Sequence, residues 1–455
     1  MILVGQEDLF DGSESIDFLE EIFSRSEQLY LKKLSRNDRD WARLENKKQS
    51  GVYISPVDRD GGFFPALNLK KRSPGEPPIL EAFFETVWPE VNERKTSRLV
   101  NYTSKGPETH FTRLPKAAFK SLNPASFLLI GREANSFTCI TVDSQQPGYE
   151  IIIDRLSLPP DFAAGIFNLE AVERRSRSEL ASFVEAILGA LAAGRIEEPS
   201  KKYAKLPPST EVAALARNRY LRDNNLDSLS PFLLDNPGDA IRTISRGIEY
   251  EIIKERQLRA KAVELVRVIV GDEPNSGIDQ VVRNIAYRYA DIDAILLSAS
   301  QQRRSRAGLS FEHHISAMLT DGGIPFEEQV ILESKKRPDF ILPSLALYNQ
   351  HGRTYSEALV LSAKTTLRER WKQVPMEINN CELFLATVDE TISENAIQEM
   401  GARGIFLVVP ESLKDSDTTE YKDSASVISF KEFFLNNIRA TRWPLWSARG
   451  LVKQC

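Results

Sequence analysis

The N-terminal part of the chain consists of short apolar runs separated by polar breaks. Runs of four or five residues bounded by Gly, Pro, Asn or Asp are typical of β-strands, and they occur at 51–54, 126–130 and 149–153. A helix is predicted before them, because apolar residues recur there at helical spacing: Ile16, Leu19, Ile22 and Phe23. The pattern predicts a mostly β domain over residues 1–175.

The middle of the chain has a helical pattern. Residues 178–193 have helical periodicity, and the Pro- and Lys-rich stretch 198–208 is predicted to be a linker, since prolines cannot continue a helix. We therefore assign residues 176–208 to a helix and linker. From 209 to 299 the apolar period is again helical, and it begins with a capping sequence at 209–211.

Helical and strand patterns alternate after residue 305. Helices are predicted over 310–319 and near 370–380. Apolar runs that predict strands lie at 329–332, 339–342, 358–363, 383–386 and 405–409. This alternation predicts a mixed β-sheet with helices on its faces. We assign residues 209–455 to one α/β domain, and the whole chain to a multidomain α/β and β class.

Composition excludes several classes of protein. The 455 residues are 42% hydrophobic and 27% charged, which are globular values, and the net charge is −5. Three cysteines without a CxxC spacing argue against a disulfide scaffold or a zinc–cysteine site, and they suit a reducing cytosol. The N-terminus turns acidic before a signal-peptide apolar stretch could form, and no 18-residue apolar window occurs. We expect a cytoplasmic protein without a membrane partner.

Two local basic runs stand out on this acidic chain. Residues 32–48 carry seven basic side chains against three acidic ones, and residues 92–120 carry seven against two. Such patches favour localised anion-binding sites, although an ordinary solvated face explains each one equally simply.

The candidate chemistry lies in the C-terminal domain. Asp339 follows a proline and opens one predicted strand, while Lys364 closes another, with 24 residues between them. If these strands are adjacent and antiparallel, the carboxylate and the ammonium lie side by side at one sheet edge. A carboxylate can hold Mg²⁺, and a lysine can stabilise charge that develops on a phosphate. By itself this pair is a weak signal, because similar pairs arise by chance in many chains.

One carboxylate is too little to hold Mg²⁺. The position two residues before the lysine, where a second acid would help, is Ser362. Glu377, 13 residues after Lys364 on the following predicted helix, is a candidate second ligand. Glu312, on the helix before the strands, is a candidate further carboxylate of the active site.

The C-terminal domain resembles the PD-(D/E)XK restriction endonucleases, and within them the EcoRII-type enzymes. The residues that carry the resemblance are 305–308 (SRAG) with Glu312, 337–340 (RPDF), 343–344 (PS), 363–366 (AKTT), Arg370, Trp371 and Glu377. The resemblance implies that Asp339 and Glu377 bind Mg²⁺, with the second acid displaced from the strand to the following helix. It also implies catalytic roles for Lys364 and Glu312, and for Tyr348.

Arg368, Glu369 and Arg370 follow closely after Lys364. Arginine can donate two hydrogen bonds to guanine, and glutamate can accept one from cytosine. The resemblance implies that this triplet reads the CC and GG pairs of a DNA site. A surface ion pair between Glu369 and a neighbouring arginine is the alternative.

The N-terminal half resembles the EcoRII effector-binding domain, a barrel-like fold related to plant B3 domains. The matching segments are 30–38 (YLKKLSRND), 49–54 (QSGVYI) and 92–98 (NERKTSR). The resemblance implies a cleft for a second DNA copy, formed by Lys48, Tyr53, Glu93, Arg94, Lys95 and Arg98.

Together these patterns predict a type II restriction endonuclease that cleaves double-stranded DNA at a CC…GG site with Mg²⁺, stimulated by a second site. A homodimer is expected, because cutting both strands of a two-fold site needs two active sites. A cytosine methyltransferase is the expected functional partner. Two alternatives stay open: a PD-(D/E)XK nuclease without site specificity, and a non-cleaving two-domain DNA-binding regulator. The intact Asp339, Lys364 and Glu377 argue against the second of these.

Overall fold

The computed structural model describes residues 7–45, 51–70, 76–134, 136–203, 207–271, 277–331, 337–367, 371 and 380–453, without the side chains of 7–15, 200 and 299–309. The chain forms two compact units. The first comprises Met1–Ser176 with two short later segments, Glu390–Glu394 and Asp415–Asp423, and the second comprises the rest. None of the described helices is long and apolar enough to cross a membrane.

The first unit is built on one mixed β-sheet. Its strands are β1 (Gln28–Lys33), β2 (Val52–Ile54), β3 (Asn68–Lys70), β4 (Ile79–Trp88), β5 (Glu93–Tyr102), β6 (Thr109–Thr112), β7 (Phe127–Glu133), β8 (Ser136–Val142) and β9 (Ala164–Asn168). Their order is β2-β6-β5-β4-β8-β7-β1-β9, with β3 on β4. Pairing is antiparallel except between β4 and β8. In the described part of the unit the sheet stays open between β2 and β9, so the predicted B3-like barrel is not confirmed.

Helices cover both faces of this sheet. They are α1 (Glu7–Arg25), α2 (Arg36–Arg43), α3 (Pro56–Asp60), α4 (Lys116–Phe119) and α5 (Pro147–Leu156). The prediction of a strand at 149–153 is wrong, because this segment lies in α5. There Tyr149, Ile152 and Leu156 recur at helical spacing and pack in the same core as Phe127. The predicted helix at the N-terminus and the strands at 51–54 and 126–130 are present.

Much of the first basic run is buried in ion pairs. Lys33 Nζ lies 2.8 Å from a carboxylate oxygen of Glu390, and Arg39 Nη2 lies 2.9 Å from one of Glu420. Lys32 is buried as well and pairs with Asp38. The interpretation of residues 32–48 as one exposed anion-binding patch is therefore wrong for these three cations, since their charge is already compensated inside the first unit.

The helices of the second unit are α6 (Leu169–Ala192), which begins in the first unit, α7 (Glu197–Tyr203), α8 (Ser209–Asp223), α9 (Pro237–Arg242), α10 (Glu249–Val270), α11 (Ile278–Tyr287), α12 (Tyr289–Asp321), α13 (Leu345–Asn349), α14 (Glu394–Ala402), α15 (Glu411–Lys414), α16 (Phe430–Glu432) and α17 (Trp443–Ala448). A π-helical turn, Thr243–Ile248, joins α9 to α10. Part of the predicted linker is helical, since α7 accommodates Pro199 in its first turn. The predicted cap at 209–211 is wrong, because Pro208 precedes α8 without a side-chain cap.

A second mixed sheet forms the centre of this unit. Its strands are β10 (Glu327–Glu328), β11 (Phe340–Leu342), β12 (Leu359–Ala363), β13 (Glu382–Ala386), β14 (Ile405–Val409) and β15 (Val427–Ser429), in that order. Pairing is antiparallel from β10 to β12 and parallel from β12 to β15. Helix residues such as Phe311 and Trp446 pack with strand residues such as Phe384 in one core. This mixed sheet with helices against it is the predicted architecture of the C-terminal domain.

Candidate active site

Asp339 and Lys364 meet at one edge of the second sheet. Asp339 immediately precedes β11 and Lys364 immediately follows β12, and these strands are antiparallel neighbours, as predicted. Lys364 Nζ donates to Asp339 Oδ2 at 2.7 Å, and the backbone N–H of Ala363 donates to the same oxygen at 2.8 Å. Asp339 is 7% exposed, so its charge is largely withdrawn from solvent.

Glu312 adds a second carboxylate to this site. It lies on α12, and Gln329 Nε2 donates to its Oε2 at 2.8 Å. Burial, followed by the charge of Asp339, raises the pKa of Glu312 to about 7, although Lys364 acts in the opposite direction. Asp339 and Lys364 are therefore close enough to Glu312 for their charges to affect its protonation.

Gln329 is a site residue that the sequence pattern misses. It was predicted within a strand at 329–332, but β10 ends at Glu328 and Gln329 has a left-handed backbone with φ of 53°. Its N–H donates to the carbonyl of Asp339 at 3.1 Å, while its side chain binds Glu312. One residue therefore links the backbone of Asp339 to the carboxylate of Glu312. A non-glycine residue in this conformation leaves no periodic signal in a sequence.

The segment after Lys364 is described only as far as Leu367. The N–H of Lys364 donates to the carbonyl of Ala386 at 3.0 Å, and the N–H of Leu367 donates to Asp389 Oδ2 at 2.7 Å. The triplet at 368–370 and the candidate ligand Glu377 lie outside the described residues. Trp371 is described and is 2% exposed, with Arg403 against its ring.

Tyr348 lies on α13 and is 4% exposed. The guanidinium of Arg353 is 5.4 Å from the centre of its ring, and Arg353 Nε donates to its carbonyl at 2.8 Å. Its assignment to the active site remains a prediction.

The residues predicted to bind effector DNA lie in the first unit. Lys48 is outside the described residues. Tyr53 is half-buried on β2, where its N–H donates to Asp38 Oδ1 at 2.8 Å and the ammonium of Lys32 lies 5.1 Å from its ring centre. The described part of this group therefore includes an aromatic ring with an adjacent cation.

The other four lie on β5, where side chains alternate between the two faces. Glu93 and Lys95 share one face and form an ion pair at 2.7 Å. Arg94 and Arg98 share the other face, and Arg98 Nη2 lies 2.5 Å from Glu81 Oε2. Of the four, Arg94 is the exposed one.

Sequence relatives indicate the class of protein to which this chain is similar. Residues 276–434, about a third of the chain, match the family model described as EcoRII C terminal. The type II restriction enzyme SsoII from Shigella sonnei is 26% identical over 227 residues, which are 47% of this chain and 72% of that enzyme. The type II restriction enzyme EcoRII from Escherichia coli is 29% identical over 217 residues, 47% of each chain, so the match spans about half of that enzyme.

A solved structure, described as metal-depleted Ecl18kI in complex with uncleaved DNA, covers 56% of this chain and 84% of its own, with 24% identity and a TM-score of 0.43. That similarity is too low to support a functional assignment. The family model and the two sequence relatives place the chain among the type II restriction endonucleases. Within that class, the domain at 276–434 belongs to the EcoRII C-terminal family.

Proposed function

We propose that this restriction endonuclease cleaves double-stranded DNA at a site with a CC…GG core, uses Mg²⁺, and acts as a homodimer that a second DNA copy stimulates. The observation that carries the proposal is the contact between Asp339 and Lys364, with Glu312 in the same environment. The lysine ammonium would stabilise negative charge on the scissile phosphate. The carboxylates would attract a divalent cation, which would neutralise part of the charge of the phosphate.

The residues at this edge fit a hard divalent cation. The described candidate donors are carboxylate oxygens, the ligand type that Mg²⁺ prefers. Burial and, after it, the charge of Asp339 raise the pKa of Glu312 to about 7. Among the described residues no group of three metal-ligating side chains occurs. We propose that Asp339 and the predicted ligand Glu377 would hold the cation, with Glu312 as a further carboxylate. A bound Mg²⁺ would supply Lewis-acid stabilisation and a more acidic water.

The test of the proposed chemistry is cleavage of a plasmid of known sequence by the full chain, with the ends mapped. We expect cuts at CC…GG sites with Mg²⁺ and none with EDTA. Lys364→Ala and Asp339→Asn should abolish cleavage but keep affinity for the site in Ca²⁺ within about tenfold, because neither residue reads bases. Lys431→Ala, an exposed lysine of the same unit, is the matched control. Cleavage by Lys364→Ala would move the active site elsewhere.

An exposed apolar face suggests where two copies would pair. On α11, Ile278, Val282 and Ile285 lie one turn apart and are 80%, 61% and 43% exposed. Tyr287, at the end of α11, and Tyr289, at the start of α12, are also exposed, at 78% and 68%. We take a second copy as the occupant, because a two-fold site needs two active sites and each described chain carries one Asp339–Lys364 pair. Apolar and aromatic surface of this kind is typical of interface cores.

We also propose that the first unit, as a B3-like domain, binds a second recognition site and thereby regulates cleavage. The ring of Tyr53 and the exposed Arg94 supply an aromatic group and a cationic group of the kind that DNA binding uses. Glu390 and Glu420 lie in two later segments of the chain that belong to the first unit, where they pair with Lys33 and Arg39. Each of these segments continues along the chain into the second unit on both sides, and we propose this covalent connection as the route by which DNA bound to the first unit affects cleavage.

The regulatory proposal is tested with plasmids that carry one site or two. The full chain should cut one-site plasmids slowly unless an oligonucleotide site is added, and Glu390→Gln should raise the one-site rate because it weakens the pair with Lys33. Glu394→Gln, exposed in the same segment, is the control. Equal rates on both plasmids would leave the first unit as a passive affinity module.

A further inference from the structure

Gln329 lies opposite Asp339 in the pairing of β10 with β11. The antiparallel register places Glu328 against Phe340, so the next pair along the two segments is Gln329 with Asp339. The N–H of Gln329 donates to the carbonyl of Asp339 at 3.1 Å and continues the ladder by one bond. The backbone of Gln329 is therefore held by the residue that bears the candidate carboxylate.

The conformation of Gln329 indicates that its side chain is needed. Its backbone is left-handed, with a φ of 53°, a conformation that glycine or asparagine adopts more easily than glutamine does. Its Nε2 donates to Glu312 Oε2 at 2.8 Å, and its carbonyl accepts from Arg337 Nε at 2.9 Å. A long side chain at a strained backbone position points to a role that glycine could not fulfil.

Each of the two described carboxylates of the site has one oxygen bound by N–H donors. At Asp339, the ammonium of Lys364 and the backbone N–H of Ala363 both donate to Oδ2. At Glu312, the amide of Gln329 donates to Oε2. Among the residues that the structure describes, none donates to the second oxygen, Asp339 Oδ1 or Glu312 Oε1. These second oxygens are the ones left for a cation.

A hydrogen bond to one oxygen restrains the rotation of a carboxylate and thereby fixes the direction of the other oxygen. Gln329 can do this for Glu312 without compensating its charge, because an amide is neutral. A lysine or an arginine at the same position would form an ion pair with Glu312 and compete with a cation for it. The residue type therefore suits a carboxylate that is oriented for a metal ion and still negative.

We propose that Gln329 is a positioning residue for the divalent cation: it orients the Glu312 carboxylate from the backbone of Asp339, so that both carboxylates bind the same ion. This inference rests on the proposed cation site at Asp339. Partners that hydrogen-bond to metal ligands in this way typically contribute about 10- to 100-fold to metal affinity or activity. We expect the contribution of Gln329 to lie in affinity, because it does not touch the scissile phosphate.

The experiment uses Gln329→Met in the full chain, since methionine keeps the length of the side chain and removes its donor. The Kd for Mn²⁺, measured without DNA by electron paramagnetic resonance, should rise about tenfold. In cleavage assays the half-saturating Mg²⁺ concentration should rise by a similar factor, while kcat at saturating Mg²⁺ stays within about threefold of wild type. A site that is disturbed as a whole would lose kcat as well.

Ser316→Ala is the matched control. Ser316 Oγ donates to Glu328 Oε1 at 2.6 Å, so this variant removes a different bond between α12 and β10 and leaves Glu312 and Asp339 unchanged. Its Kd for Mn²⁺ and its Mg²⁺ requirement should match wild type. If Gln329→Met does not fold, Gln329→Asn takes its place, because asparagine tolerates the left-handed backbone and its side chain is one methylene shorter than the bond to Glu312 requires.

Three outcomes would overturn the positioning role: an unchanged Kd for Mn²⁺ in Gln329→Met, a loss of kcat with an unchanged Mg²⁺ requirement, or an equal loss of affinity in Ser316→Ala. Asp339→Asn distinguishes these from failure of the proposed cation site. If Asp339→Asn binds Mn²⁺ as wild type does, the cation site is wrong and the role of Gln329 is wrong with it. If Asp339→Asn loses Mn²⁺ and Gln329→Met keeps it, the site stands and only the role of Gln329 is wrong.

Discussion

A carboxylate buried to the extent of Asp339 is destabilising unless its charge is compensated. Both of its described donors, the Lys364 ammonium and the N–H of Ala363, come from the end of β12. The end of β12 therefore both positions Lys364 and offsets the free-energy cost of burying the Asp339 carboxylate. The contact that compensates the buried charge of Asp339 is therefore also the one that the proposed catalysis uses.

Arg368 and Arg370 test the proposed readout at the same scale. Replacing either one by Ala should cost about 1–3 kcal/mol of discrimination at a G·C pair, because an arginine that donates two bonds to guanine is lost. The measurement is binding in Ca²⁺ to the site, to single-pair variants and to random DNA. Lys431→Ala, at an exposed lysine of the same unit, is the control. A uniform loss on all three DNAs would instead indicate a phosphate contact.

Glu90 is a half-buried carboxylate of the first unit that accepts bonds from the backbone N–H and the hydroxyl of Thr141. Burial raises its pKa to about 7, despite the lowering effect of these bonds. The folded protein therefore binds this proton more tightly than the unfolded chain does. Glu90 therefore makes the free energy of unfolding fall as pH rises from about 4.5 to about 7.

Glu90→Gln should remove that loss of stability. Relative to wild type, we expect the variant to gain about 1–3 kcal/mol of unfolding free energy at pH 8 and almost nothing at pH 4.5. Urea unfolding at the two pH values measures the difference. Glu85→Gln, at an exposed glutamate on β4, should show no such pH-dependent gain. A gain of equal size at both pH values would mean that the charge of Glu90 is not its cause.

At the scale of elements, the pairing of β2 with β6 depends on Gly51. Its φ is 103°, and a Cβ there would lie 2.0 Å from the carbonyl oxygen of Phe111, a β6 residue. Gly51→Ala should therefore destabilise the protein by about 2–4 kcal/mol. Two causes contribute to this loss, the positive φ and the clash with Phe111, and Gly62→Ala separates them. Gly62 has a φ of 82° but a Cβ there would have nothing within 4 Å, so Gly62→Ala should destabilise the protein by only about 1 kcal/mol. Equal losses in thermal melting would show that the contact with Phe111 contributes nothing.

At the scale of the whole molecule, the apolar face of α11 predicts the oligomeric state. Val282→Glu should convert a dimer to a monomer in analytical ultracentrifugation, because it places a charge where apolar surface would be buried. Leu69→Glu, at a leucine of β3 that is 67% exposed, should leave the dimer intact. A Val282→Glu variant that remains dimeric would place the interface on another surface.

Regulation belongs to the same scale. A chain of residues 205–455 lacks nearly all of the first unit, and it should cut one-site plasmids faster than the full chain if the first unit restrains it. The comparison is informative only where circular dichroism shows that the fragment is folded. If a folded fragment and the full chain cut one-site plasmids at equal rates, the first unit does not restrain cleavage.

Local sequence patterns were enough to predict the strands β11 and β12 and to place Asp339 and Lys364 at their ends, while the structure supplied the antiparallel pairing that brings the two side chains together. A short apolar run bounded by polar residues is a local signal, and a residue at the end of such a run lies at a sheet edge wherever the sheet is packed. The helical period at the N-terminus and over 209–299 is equally local. Long-range neighbours were needed for none of these inferences.

Other features of the protein depend on contacts between segments that are distant in sequence. Residues 149–153 have strand-like composition, yet they form a helix because the side chains of Tyr149 and Ile152 reach a core shared with Phe127. Lys33 and Arg39 look like surface cations in the sequence, but acids from more than 350 residues away neutralise them inside the first unit. The same holds for Asp389, whose bond to Leu367 joins segments with no common period. Local sequence carries periodicity and charge, whereas burial and the choice of hydrogen-bond partner depend on segments that only folding brings together.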